Sequence, residues 1–369
     1  MTRLSRAQAL GVILLGAACI GADANLVVGR SAPPPPPIDH VFIIVLENRN
    51  YDATFGPGSA GPYLADTLVK QGALLTQYYG IGHASLDNYI AMISGIAPNP
   101  STQGDCPVFT EFAQTGTSAD GQPIGLGCVY PGQVQTIANQ LMAAGKTWRG
   151  YFEDMGNDPA REATACAHAV IGAPDPTKTR DAAHQDWYAT KHNPFAYFHA
   201  IIDDSVSCRA HVVPLTMLGA DLGAETPNLV FITPDLCHDG HDPKCGDRPG
   251  GLTGIDEFLR HWVPAITHSS AFKHGLLIIV FDESGNDDAA CCGEQPGPNT
   301  TVPGGGGPGG GRTGAVLISP FLAPGTVSEV PYNHYSMLKS VEEIFNLPFL
   351  GYAGRPGLAS FGADVYTKR

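Results

Sequence analysis

Charge is scarce in this chain, and positive charge scarcest: charged residues make up 15% of the 369, with 21 Lys and Arg against 35 Asp and Glu. Non-specific nucleic-acid binding runs on clustered Lys and Arg, so the formal net charge of -14 argues against it. An anionic substrate must instead be attracted locally, by a metal or by helix ends. Beyond the N-terminus no apolar run is long enough to cross a bilayer, which excludes an integral span. No repeated CxxC pair and no internal repeat occur, removing the usual zinc modules and solenoids. What is plentiful is glycine (45), proline (31) and hydrophobic residues (43%). That mixture fits one large domain with long surface loops on a regular core.

The first 24 residues have the make-up of an export signal. Arg3 and Arg6 precede the apolar run Ala9 to Ile20, and Ala22-Asp23-Ala24 offers a small-x-small cleavage site. Cleavage would leave a mature chain starting near Asn25, a net charge of about -15 and a secreted or periplasmic protein. Lipoprotein anchoring through Cys19 ranks second, because Gly16 stands where a bulky aliphatic is expected. Eight cysteines then remain, the even number that four disulfides would leave. Cys237 and Cys245 are read as a bridge in preference to a zinc pair, and the adjacent Cys291 and Cys292 as partners of other cysteines.

A Pro-rich linker, residues 25–38, leads to a single domain over 39–369. Strands are predicted at His40–Leu46, Leu74–Tyr78, Thr147–Glu153, His274–Phe281 and Ala315–Ser319, and in the apolar run that opens NLVFITPDLCHDGHD. Helices are predicted at 61–71, 86–93, 136–144, 255–263 and 335–345. Residues 99–131 read as an insertion loop, 159–192 carry no periodicity, and Pro303–Gly311 reads as flexible low complexity. The alternation of strands and helices predicts an α/β fold, a mainly parallel sheet sandwiched by helices.

Three apolar strands end in chemically active residue types: Glu47-Asn48, Asp282-Glu283, and the loop Asp235 to Asp242 with its two histidines. Carboxylates delivered from strand ends converge at one edge of such a sheet and can hold a hard cation. Each could equally be an ordinary polar loop start. Ser85 opens a helical segment, where a hydroxyl meets unpaired N–H groups and the positive end of the dipole. Ser is also among the commonest helix caps, and that reading stays open. His83 and Asn88 nearby are more than a cap needs.

Taken together, the segments HVFIIVLENRNYDATFG, GHASLDNYIAMISG, KTWRGYFEDM, KHNPFAYF, NLVFITPDLCHDGHD, LLIIVFDESG, GAVLISPFLAPGT and NHYSMLKSVEEIFNL resemble, in that order, the bacterial phosphoesterase family. That family includes secreted acid phosphatases and non-haemolytic phospholipases C of the alkaline-phosphatase-like superfamily. The resemblance implies a three-layer α/β/α sandwich and a divalent metal ion. It makes Ser85 the nucleophile, Glu47, Asn48, Asp282 and Glu283 the metal ligands, and His192, His238 and His334 the groups around the phosphoryl moiety. Departures are Ala84 and Asp87, where many relatives have proline, and Glu283, where some have Asp. The implied substrate is a small phosphomonoester. The alternatives are a phospholipid head-group diester, or an exported binding protein without turnover. The phospholipase branch is typically longer, which favours the compact phosphatase.

Overall fold

The computed structural model describes residues 34–178 and 180–368. The expected signal peptide, Cys19 and most of the Pro-rich linker lie outside the described residues.

Eight strands form the main sheet: β1 His40–Leu46, β2 Ala73–Leu75, β3 Trp148–Phe152, β4 Val212–Pro214, β5 Leu229–Thr233, β6 Gly275–Phe281, β7 Ala315–Ile318 and β8 Thr326–Ser328. Their spatial order is β8-β2-β7-β6-β1-β5-β3-β4. β7 runs against both of its neighbours, and every other pairing is parallel. The central strands are uninterrupted apolar runs because both of their faces are covered. On one face Val41, Ile43, Val45, Leu276, Ile278 and Val280 pack with helices α1 (Ser85–Ser94) and α3 (His334–Phe345). On the other, Phe42, Ile44, Leu46, Leu277, Ile279 and Phe281 meet Ile255, Phe258, Leu259 and Val263 of α2 (Gly251–Thr267). This is the three-layer sandwich expected. Each of these buried aliphatic side chains contributes about 1.5–3 kcal/mol, so truncating one at the sheet centre to Ala costs roughly 2–5 kcal/mol.

Two expectations are corrected. Cys291 and Cys292 are bonded to each other, beside Cys106–Cys128, Cys166–Cys208 and Cys237–Cys245. The other six described cysteines are paired among themselves, and Cys292 lies in the left-handed region at φ 64°. The glycine-rich stretch Pro303–Gly311 is not merely loose at its end. Gly310 exchanges backbone hydrogen bonds with Gly80 and Ser284, and a methyl group on Gly80 would stand 2.6 Å from the Asp282 carbonyl oxygen. Glycine is used there for close backbone approach rather than for flexibility. Residues 99–131 fold around a hairpin, Ala113–Thr117 with Pro123–Leu126, closed by Cys106–Cys128.

Candidate active site

β1 and β6 run side by side and end together, so Glu47 and Asn48 emerge next to Asp282 and Glu283. The pairing continues past the strands: Asp282 N–H donates to Leu46 O at 2.8 Å, and Arg49 N–H to Glu283 O at 3.1 Å. Asn48 takes a left-handed conformation (φ 51°), its N–H donates to Asp282 Oδ1 at 3.0 Å, and its side-chain amide donates to Glu283 Oε1 at 2.6 Å. From β5 the chain turns back, and Glu47 N–H donates to Asp239 O at 2.8 Å.

Ser85 is the first residue of α1, and Ala84, not Ser85, occupies the cap position. The Ser85 hydroxyl therefore caps nothing: it donates to Glu47 Oε2 at 3.1 Å. Asn88 holds the turn before it, accepting from the Ile81 and Gly82 N–H groups and donating to the Gly82 and Ala84 carbonyls. A side chain with two donors and two acceptors satisfies the backbone that a helix start leaves open.

Glu47, His192 and Asp239 bring one ligand atom each within 4.8 Å of one another. His192 Nε2 stands 3.4 Å from Glu47 Oε1, His192 Nδ1 stands 3.2 Å from Asp239 Oδ2, and the ring stacks on Tyr89 at 5.2 Å. Burial, then repulsion from Asp282 and Asp239, raises the Glu47 carboxyl well above its usual range. Burial likewise raises Asp239 and Asp282, and burial followed by Asp282 takes Glu283 to about 7. Burial, then Lys191, pushes the His192 pKa down. Glu47 Oε1, Asp239 Oδ2, Asp282 Oδ2, Glu283 Oε2 and His192 Nε2 are buried without a hydrogen-bond partner. So many unmatched acceptors in one place are costly without a cation. Carboxylates with one imidazole suit a hard or borderline divalent ion.

The remaining expected residues are placed differently. His334 is buried behind the site, with Nε2 against the Asp282 carbonyl at 2.6 Å and Nδ1 against the Tyr78 hydroxyl at 3.0 Å. Both ring nitrogens are occupied, and burial lowers its pKa to about 4. His238 joins a second group, with Glu153 at 2.9 Å and Asp235 at 3.7 Å, where Arg248 already pairs with Asp235 at 2.8 Å. Of the loop following β5 it is Asp239 that reaches Glu47.

Two side chains that the sequence left unassigned stand at the site. His83 lies 3.5 Å from Glu283 and 3.0 Å from Asp288, and the Glu283 carboxylate beside it raises its pKa. Lys191 bonds Asp105 at 2.9 Å, and Asp105 in turn accepts the Leu86 N–H at 3.1 Å. A cleft of about 610 Å³, lined in part by Asp105, Lys191, Lys178, Arg180 and His241, opens beside them.

The Phosphoesterase family model matches residues 62–348, more than half of the chain. A phosphatidylinositol-3-phosphatase of Mycobacterium tuberculosis is 26% identical over 96% of this chain and 92% of its own length. A probable acid phosphatase of Kluyveromyces lactis is 25% identical over 84% of this chain, which spans 59% of that relative. Among solved structures, a protein in the alkaline phosphatase superfamily from Vibrio parahaemolyticus superposes with a TM-score of 0.50 at 13% identity, over 91% of this chain and 74% of the other. The fold is that of the alkaline phosphatase superfamily, and the chain belongs to the Phosphoesterase family of phosphoric ester hydrolases.

Proposed function

We propose that this protein is an exported, metal-dependent phosphomonoesterase of acid-phosphatase type, working through a phosphoserine intermediate. The observation that carries the reading is the Ser85 hydroxyl, uncapped at the start of α1 and aimed at a buried carboxylate among four others' unmatched oxygens and imidazole nitrogen. The metal ligands come from Glu47, Asn48, Asp282 and Glu283, with Asp239 and His192 added by the geometry. A divalent ion bound there supplies positive charge to the phosphoryl oxygens and acidifies a neighbouring hydroxyl.

Ser85 Oγ attacks phosphorus, and its proton leaves along the hydrogen bond to Glu47 Oε2. The bond from phosphorus to the alcohol oxygen breaks. His83, protonated beside Glu283 and Asp288 and partly exposed, donates the proton that the alcohol takes away. Water then attacks phosphorus and gives a proton to His83 as the bond to Ser85 Oγ breaks, and Ser85 takes its proton back from Glu47. The α1 N-terminus faces the charge that develops on the phosphoryl oxygens. His238 and His334 act at a distance, His334 by fixing the end of β6.

Four disulfides support export. The name of the mycobacterial relative favours a phosphorylated lipid head group as one substrate. The test compares p-nitrophenyl phosphate with p-nitrophenyl phosphorylcholine, using wild type and Ser85→Ala. Turnover of the monoester that Ser85→Ala abolishes is expected. Wild-type rates in Ser85→Ala would overturn the reading, and preference for the choline diester would move the protein to the phospholipase branch.

A further inference from the structure

Asp105 bridges the start of α1 and the Lys191 ammonium. Its Oδ1 accepts the N–H of Leu86, the residue after Ser85, and its Oδ2 holds the Lys191 ammonium at 2.9 Å. Leu86 N–H is one of the helix-start donors that have no partner within the helix, and α1 is ten residues long. One carboxylate thus engages both an amide and an ammonium, the donor pair that a phosphoryl group engages with two of its oxygens.

We propose that Asp105 is a built-in occupant of the phosphate position: its carboxylate holds the Leu86 N–H and Lys191 until the substrate's phosphoryl oxygens displace it. Lys191 then contacts the phosphate directly. This rests on the reading of Ser85 as the nucleophile and names two further residues that act on the same group.

Two more observations support it. Asp105 and Cys106 both lie in the left-handed region, at φ 55° and 47°, and Cys106 is tied to Cys128. The loop holds Asp105 in that place by a conformation that non-glycine residues rarely adopt. The pair is also reachable, since both side chains line the cleft and are 32% and 22% exposed.

The experiment uses the full metal-loaded protein, with inorganic phosphate as competitive inhibitor of p-nitrophenyl phosphate. Asp105→Asn keeps an acceptor for Leu86 N–H but loses the charge that competes with phosphate. Its Ki for phosphate and its KM are expected to fall about tenfold, because the competing charge is lost. Lys191→Met is expected to raise both constants at least tenfold. A Ki that is unchanged or higher in Asp105→Asn would show a merely structural Asp105 and overturn the proposal. A second reading is independent of mutation: in wild-type crystals soaked with phosphate, the anion should stand on Leu86 N–H and Lys191 with Asp105 rotated out. Asp105 still seated on Leu86 with phosphate bound elsewhere would also overturn it. Should the phosphoesterase reading fail, wild type would turn over no phosphate ester, while calorimetry of phosphate binding would still report the Asp105 effect.

Discussion

Ser85 Oγ and Glu47 Oε2 are 3.1 Å apart across 38 residues of sequence, and each is buried. The contact shows that the hydroxyl proposed as nucleophile does not serve as the helix cap. Ser85→Ala should lower kcat by at least about 10³-fold with an unchanged melting temperature, since no cap is lost. Glu47→Gln should also inactivate, yet raise the melting temperature of the metal-free protein by relieving repulsion with Asp282 and Asp239. Kinetics and thermal melts of the two variants check this.

Metal removal should be felt as stability as well as activity. The unmatched oxygens of Glu47, Asp239, Asp282 and Glu283 would repel one another once the proposed cation is stripped from them. A chelator should abolish turnover and lower the melting temperature, and restored divalent ion at 1,000 times its Kd should return about 4 kcal/mol. Calorimetry with and without chelator reads both.

Cys237–Cys245 closes the loop that carries Asp239, at a sequence separation of 8. Replacing both by serine should cost about 2–3 kcal/mol and reduce kcat more than a distant bridge such as Cys166–Cys208 would. Parallel denaturation and rate measurements on the two double variants distinguish them.

Glu342 gives a pH dependence away from the chemistry. One oxygen accepts the Leu350 N–H, the other is buried without a partner, and burial raises the carboxyl from about 4.5 to about 8. The folded state keeps a proton that the unfolded chain releases above its ordinary value. Stability from this group is therefore full below about pH 4.5 and is lost as pH rises to about 8. Glu342→Gln should stabilise by at least about 1 kcal/mol at pH 9 and bring nothing at pH 4, as read by melts across pH.

The central strands and the three helices that cover them were legible because buried strands are written as continuous apolar runs. Glu47, Asn48, Asp282 and Glu283 were legible with them, as the residues that follow those runs. Which member of Asp235 to Asp242 reaches Glu47 was not, because five candidate ligands share one loop. The choice falls to local turns: the Asp235 carboxylate accepts the Cys237 and His238 N–H groups, and Gly240 adopts φ 98°. Residues 159–192 gave no period because they fold mainly as turns and short 3-10 segments, although Trp187 and Tyr188 are buried. Asp105 was hidden for a similar reason. It sits in what reads as an insertion, and only the folded loop returns it to α1.

β1 leaves the N-terminal side of the chain yet lies between β5 and β6, whose residues come some 190 to 240 positions later. During synthesis its run VFIIVL has no sheet neighbour until most of the protein exists. Such a strand is sticky in the interval, and long-range pairing is slow. β1 therefore takes its place only after β5 and β6 have been made, so the centre of the sheet is completed by segments from the second half of the chain.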